Sequence, residues 1–314
     1  MPDAMPTVSI VIVCMNRPDI LFPCLDSIRA YTSVSYETLV VAYMFSDGNL
    51  ALLKERYPWV SVIESTGLRG FSENNNLALR QAKGEFCFIV NDDTCMQMPV
   101  IDRLLEDFSR LPGNAAAVSP RIVFPDGRVQ TCGRAPWTLC RYMKHYLHLV
   151  DETRPSRWSM KSGLFQTWTL NGACFLARTE LFRKAGWFDE RYFFTPEDIA
   201  LGHNFNELGY GVYTDADVEI THKAGGSVSA MEAAIKPARV AGALLFYGGK
   251  NRVRRFLLGS YIWLVEGCRV LKYILIGHKE GRNRLMYRTA RNVQRTVTSG
   301  RMPKEVFETF SREG

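Results

Sequence analysis

The chain is expected to be an α/β protein, an open parallel sheet with helices on both faces, followed by a helical tail. Three observations predict this. Apolar strand-like runs alternate with helix-like segments across the first 110 residues, the opening run is apolar on both of its faces, and basic charge gathers near the C-terminus. With 314 residues, 46% hydrophobic and 23% charged, the composition is that of a folded globular chain and excludes disordered or collagen-like classes. From Ile235 onward there are 17 Lys and Arg against 5 Asp and Glu, whereas the part before it holds 22 against 27. A basic appendage on a mildly acidic body points to an anionic surface as the partner of the tail.

The elements follow in order. Residues 7–14 (TVSIVIVC) form a β-branched run that ends in a polar turn, the pattern of a strand covered on both faces. Residues 19–31 show helical spacing, with Ile20, Leu21, Cys24, Leu25 and Ile28 on one side. Strands are predicted at 38–43, 60–63 and 85–90, and helices at 50–56, 73–82 and 100–110. Such sheets bind ligands beyond the carboxyl ends of their strands. A hairpin is expected around Asp126-Gly127, then an irregular stretch rich in Trp, Tyr, His and Arg to about Thr167. A strand at 168–177, helices at 179–185 and 199–208, and short extended pieces at 212–213 and 218–221 complete the body, taken as residues 1–230.

The tail, residues 231–314, reads as helical. Its run 256–276 has 21 residues, enough by length to cross a bilayer. Arg252, Arg255, Glu266 and Arg269, however, are spaced by 3, 11 and 3 and fall in one charged stripe. That pattern fits a helix lying in a membrane interface, or one packed on protein with its stripe in water. The eight cysteines show no CxxC spacing and read as buried thiols of a reducing compartment, and the N-terminus does not read as a signal peptide.

Two clusters carry chemistry. Asn91-Asp92-Asp93-Thr94 follows a buried strand, where carboxylates are hard oxygen ligands for Mg²⁺ or Mn²⁺ on a diphosphate, or else an acidic turn that caps a helix. Glu197-Asp198 opens a helix after Tyr192-Phe193-Phe194; it is either a desolvated general base or a cap. His222, before Gly225-Gly226, is a metal ligand or a lone buried imidazole.

Taken together, residues 8–227 resemble the inverting glycosyltransferases of family 2, with the GT-A fold, especially rhamnosyltransferase-like members of bacterial surface polysaccharide synthesis. The resemblance rests on Ser9-Ile10-Val11-Ile12-Val13 with Asn16-Arg17, Gly70-Phe71 with Asn75-Asn76, Asn91-Asp92-Asp93-Thr94, and Asn171-Gly172-Ala173. It continues through Gly186-Trp187-Phe188-Asp189-Glu190, Glu197-Asp198, Gly209-Tyr210 and His222. It implies a mixed Rossmann-like sheet. It also implies Asp93 and His222 as ligands of Mg²⁺ or Mn²⁺, Asn91 in place of the first acid of the DxD motif, and Asp92 on ribose or phosphate. Asp198 becomes the catalytic base, and Gly172 and Ala173 lie near the donor sugar. Asn16, Arg17, Asp47, Asn76 and Glu197 are placed around the nucleotide sugar.

The implied donor is a dTDP- or UDP-sugar, and the implied acceptor a glycan or glycolipid at the cytoplasmic face of the inner membrane. Nucleic acid is not expected as a partner, because the tail carries no recognisable reading module. A homodimer surface, a soluble or protein acceptor and a scaffold without turnover are the other readings. One departure stands out: where the family has a base-reading Asp, this chain has Ala42. Asp47, backbone groups beside Tyr43, or a cytosine base, whose N3 is itself an acceptor, would each resolve it. Ala200 likewise replaces an acid that many members carry.

Overall fold

The computed structural model describes residues 5–150, 158–223, 231–277 and 279–313. The Gly225-Gly226 turn and the boundary expected at 230 lie outside them. The chain divides into two compact units, one formed by Met1–Trp137, Asp151–Asp189 and Asp198–Ala224, the other by Thr138–Val150, Glu190–Glu197 and Gly225–Gly314.

The first unit is built on one sheet. Its first half runs β1 (Val8–Met15), α1 (Pro18–Tyr31), β2 (Tyr36–Tyr43), α2 (Asp47–Arg56), β3 (Val60–Ser65), α3 (Phe71–Leu79), β4 (Phe86–Val90), β5 (Thr94–Cys95) and α4 (Val100–Arg110). Next come β6 (Ala115–Val123) and β7 (Val129–Thr131), then α5 (Leu139–Tyr146), which belongs to the second unit. β8 (Leu164–Thr167), β9 (Cys174–Arg178), α6 (Thr179–Lys184), α7 (Glu197–Glu207) and β10 (Gly211–His222) follow. The spatial order is β3-β2-β1-β4-β9-β6-β10-β5, with β7 on β6 and β8 on β10.

The pairings β3-β2, β2-β1 and β1-β4 are parallel, as the alternation predicts. The expectation of a wholly parallel sheet is corrected further on. β9 is antiparallel to both β4 and β6, so the sheet is mixed, as the family resemblance implies.

Alternation decides which face each side chain joins. Ile10 and Ile12 enter one core with Leu21, Leu25 and Ile28 of α1 and Leu104 of α4. Val11 enters the other with Ala78 and Leu79 of α3, Phe182 of α6, and Leu201 and Phe205 of α7. Gly84 sits where a Cβ would lie 2.5 Å from the Ser9 backbone nitrogen, so only glycine admits the approach that lets β4 start beside β1. Two sequence expectations shift here. Residues 168–173 are irregular, and the two pieces expected at 212–213 and 218–221 are one strand, β10, with a register shift between Asp215 and Glu219.

The second unit is helical: α5, α8 (Glu232–Gly248), α9 (Arg252–Ile276), α10 (Gly281–Ser299) and α11 (Pro303–Arg312). Tyr146, Val240, Ala243, Tyr247, Leu258, Ile262 and Val293 form its core. Within this core Glu266 of α9 is fully buried and accepts hydrogen bonds from Lys236 Nζ at 2.9 Å, the Tyr146 hydroxyl and the Arg269 guanidinium. This corrects the expectation of a charged stripe in water: Glu266 faces inward, and no helix among the described residues is long and apolar enough to cross a membrane. Five of the eight cysteines are buried, whereas Cys140 and Cys268 are exposed and Cys95 is intermediate.

Candidate functional site

Strand polarity brings the candidate residues to one edge. β1, β4 and β10 run the same way and end there, at Asn16, Asn91 and His222, while antiparallel β9 begins there, after Asn171, Gly172 and Ala173. The link between strands is specific. The Asn91 backbone N–H donates to the Ala173 carbonyl at 2.9 Å, and the Asn91 side-chain amide lies 3.3 Å from His222 Nε2. β5 pairs antiparallel with the end of β10, placing Thr94 opposite His222, and the Thr94 hydroxyl caps the Asn91 carbonyl at 2.8 Å.

Asp93 Oδ1 lies 3.0 Å from His222 Nε2, both side chains being largely shielded from solvent. His222 Nδ1 is 2.7 Å from Gln130 Oε1. With Oε1 as acceptor, Nδ1 carries the proton, and the Nε2 lone pair then points at a carboxylate oxygen. Two electron-rich atoms so close require a proton or a cation between them. Ligands about 2.1 Å from a small octahedral ion stand about 3 Å apart when adjacent, so this spacing suits Mg²⁺ or Mn²⁺. Gln130 then fixes the tautomer from behind, the usual part of an outer-shell partner. Among the described residues no group of three or more His, Cys, Asp or Glu forms a closed metal cage. Two such ligands would leave the remaining positions of an ion for substrate oxygens and water, the pattern by which Mg²⁺ sites hold phosphates.

Asp92 points the other way. Burial pushes its carboxyl up to about 6, the Cys14 Sγ–H bond opposes the rise, and the charge of neighbouring Asp93 adds to it. Arg17, exposed at the end of β1 and paired with Asp19 at 2.8 Å, is near enough to favour the ionised form of Asp92. Asn16 adopts the left-handed region at φ 52°, which Asn tolerates, and its Oδ1 accepts from Ser46 N at 3.0 Å and Asn49 Nδ2 at 2.9 Å. That anchors the β1 loop to the start of α2, where Asp47 is exposed.

Asp198, half-buried in the first turn of α7, accepts from the Gly172 N–H through Oδ2 at 3.3 Å and from the Ile199 N–H through Oδ1 at 2.7 Å. Gly172 adjoins Ala173, whose carbonyl holds Asn91. The expected base and the expected metal ligands are therefore joined through three consecutive contacts. Asn171 stiffens this turn, its Oδ1 accepting from Ala173 N and its Nδ2 donating to Thr131 Oγ1, both at 2.9 Å.

Three expectations change. Asn76 is buried, and its amide is engaged by both backbone groups of Phe188, at 2.9 and 3.2 Å. It clamps α3 to the Phe188 turn instead of facing a nucleotide. Glu197 is buried and is counted with the second unit. The aromatic run expected beside the base also belongs there, with Phe193 and Phe194 packed on Phe307 at ring distances of 4.9 and 5.3 Å. Sequence reasoning missed Gln130. The hairpin around Asp126-Gly127 placed it on a returning strand, but only the β6-β10 pairing brings that strand to His222.

A mixed sheet of order 3-2-1-4 with an acidic loop at the end of β4 defines the nucleotide-diphospho-sugar transferase class of fold, GT-A. Residues 6–239 match the family model described as Glycosyltransferase like family 2, and the chain belongs to that family. The O-antigen biosynthesis protein RfbC of Myxococcus xanthus is 28% identical over 237 residues, 71% of this chain and 18% of that protein. The N-acetylglucosaminyl-diphospho-decaprenol L-rhamnosyltransferase of Mycobacterium tuberculosis is 28% identical over 208 residues, 57% of this chain and 64% of that protein. The chain thus spans less than two thirds of either relative. Among solved structures, GalNAc-T7 with UDP, GalNAc and Mn²⁺ aligns with TM-score 0.56 at 15% identity, covering 81% of this chain and 54% of that one. The mannosyltransferase PcManGT from Pyrobaculum calidifontis, with GDP-Man and Mn²⁺, aligns with TM-score 0.53 at 16% identity, covering 99% and 81%. These two likenesses concern the fold alone.

Proposed function

We propose that the chain is a metal-dependent inverting glycosyltransferase, moving a sugar from a dTDP- or UDP-sugar to a hydroxyl of a lipid-linked or membrane-bound glycan at the cytoplasmic face of the inner membrane. The observation that carries this reading is the contact path from Asp198 through Gly172, Ala173 and Asn91 to the Asp93–His222 pair. The relative that acts on a diphospho-decaprenol acceptor supports the lipid-linked part.

Asp198, held in place by two backbone N–H groups, has lone pairs left to take the proton of the acceptor hydroxyl as its oxygen attacks the anomeric carbon. Attack comes from the face opposite the leaving nucleotide, so configuration inverts. Asp93 and His222 would hold Mg²⁺ or Mn²⁺, which when bound would offset the charge growing on the departing diphosphate. Asn91 and Gln130 keep His222 oriented, and Gly172 and Ala173 leave room for the sugar. Ala42 is buried in β2 and offers the base no side-chain acceptor, so Asp47 or backbone groups beside Tyr43 read it.

A donor-hydrolysis screen over a panel of nucleotide sugars with Mg²⁺ and with Mn²⁺ tests the proposal. Release of nucleotide from one donor, dependent on the metal, is expected. Binding without release under every condition would show a nucleotide-sugar scaffold instead.

A further inference from the structure

Helix α9 reverses the usual arrangement of an amphipathic helix. Its one carboxylate, Glu266, is fully buried, while Val253, Phe256, Leu257, Leu264, Leu271 and Leu275 are 57–76% exposed. Spaced mostly by three, four and seven, they form one apolar stripe along the helix. Beside it runs a groove of about 960 Å³, lined by Val253, Phe256, Trp263 and Leu264 of α9 and by Val297 and Thr298 of α10, with Arg252 and Arg255 also on its wall.

Helix α10 supplies the charge. Arg284, Arg288, Arg291 and Arg295 recur at four, three and four residues and share a face, and Thr298, three further on, continues that face into the groove. The apolar stripe and the arginine stripe therefore look out from the same side. A depression of about 500 Å³ is lined by these four arginines and Lys279. Arg295 is also held by Glu313 at 2.7 Å, but the buried Nη2 of Arg288 has no acceptor. α10 contains no Asp or Glu, and its first turns carry Arg282 and Arg284, where the helix dipole disfavours cations. Such charge is relieved by an anion brought from outside.

We infer that this side of the second unit is a membrane-docking surface: α9 lies flat with its apolar stripe in the acyl–headgroup boundary, and the α10 arginines take the phosphates of anionic lipids. Charge complementarity selects this occupant. A second copy of the chain would bring its own arginine stripe to the same face, where like charges repel. The inference deepens the lipid-linked-acceptor reading, yet its test uses no catalysis, so the two can fail separately.

Sedimentation of the full chain with vesicles of phosphatidylcholine, alone or mixed with phosphatidylglycerol, provides the test. Binding to the mixed vesicles should be tighter by roughly tenfold or more at low salt, and weaker as salt rises. The triple variant Arg282→Glu, Arg284→Glu, Arg291→Glu should lose that preference. The triple variant Phe256→Ser, Leu264→Ser, Leu275→Ser should bind both vesicle types more weakly. Acyl-brominated lipid should quench a part of the tryptophan emission that Trp263→Phe removes. All the altered side chains except the half-exposed Trp263 are well exposed, so helix content by circular dichroism and the melting temperature should hold. Absence of vesicle binding, or unchanged binding by both triple variants, overturns the inference. So does a dimer in sedimentation velocity that the serine variant dissolves, which would assign the face to a second copy.

Discussion

The two units place charge in opposite ways. In the sheet unit, apolar residues fill both faces of the sheet, and the candidate acids of the site converge at one strand edge, where Asp93 meets His222 and Asp198 meets Gly172. In the helical unit the acid of α9 lies inside, held by Lys236, Arg269 and Tyr146, and large apolar side chains lie outside. The difference teaches where each unit meets its surroundings. An edge of converging carboxylates prepares for a small charged ligand, whereas an outward apolar stripe beside arginines prepares for an extended surface.

The strongest way to break this comparison is at the sheet edge. Asp198→Asn should lower transfer by about 10³-fold while nucleotide binding stays near normal, because a neutral amide keeps the shape but cannot take a proton. A transfer assay beside calorimetric donor titration checks this. Near-normal transfer would remove Asp198 from the role of base.

Next in size is the inward acid. Glu266→Ala leaves Lys236 and Arg269 without their shared partner in a partly dry site, and should cost about 3 kcal/mol, lowering the melting temperature of the helical unit by several degrees. Burial already works against the charged form of Lys236, and the Glu266 carboxylate opposes that. Scanning calorimetry reads the shift. An unchanged melt would mean that the buried acid contributes no stability.

The sheet unit has a buried acid pair of its own, and it sharpens the comparison through pH. Burial raises the Asp107 carboxyl above its ordinary 3.8, and the Asp215 charge raises it further, with Arg110 opposing. The folded state therefore keeps a proton that the unfolded state releases. Stability from this source is fully present below about pH 4 and fades as pH rises toward neutrality. Asp107→Asn should flatten that slope, a difference of about 2 kcal/mol in denaturant unfolding between pH 4 and pH 7.5. Parallel pH profiles for wild type and variant would count against the pair.

The smallest expected effect lies behind the proposed metal ligand, His222. Gln130→Ala frees His222 Nδ1 and should raise the Mn²⁺ concentration for half-maximal rate about tenfold, with little change in the saturated rate. A metal titration that matches wild type would make Gln130 a bystander.

Local patterning was enough to determine much of the molecule. The nearly continuous apolar run of residues 7–14 marked β1 as covered on both faces, helical spacing marked α1 and α4, and the order of strands and helices set the first half of the sheet, because each depends only on neighbours in the chain. Asn91-Asp92-Asp93, Asp198 and His222 were legible as site candidates because chemistry restricts which residue types can do such work. The tertiary structure alone decided the rest. The antiparallel entry of β9, the reach of Gln130 to His222 and the engagement of Asn76 by Phe188 all depend on pairings between segments far apart in sequence. The stripe of α9 makes the same point: spacing put Glu266 and Arg269 on one side of the helix, but periodicity cannot say which side faces in. Lys236 and Tyr146, contributed by two other helices, draw the acid inside and so turn the leucines out.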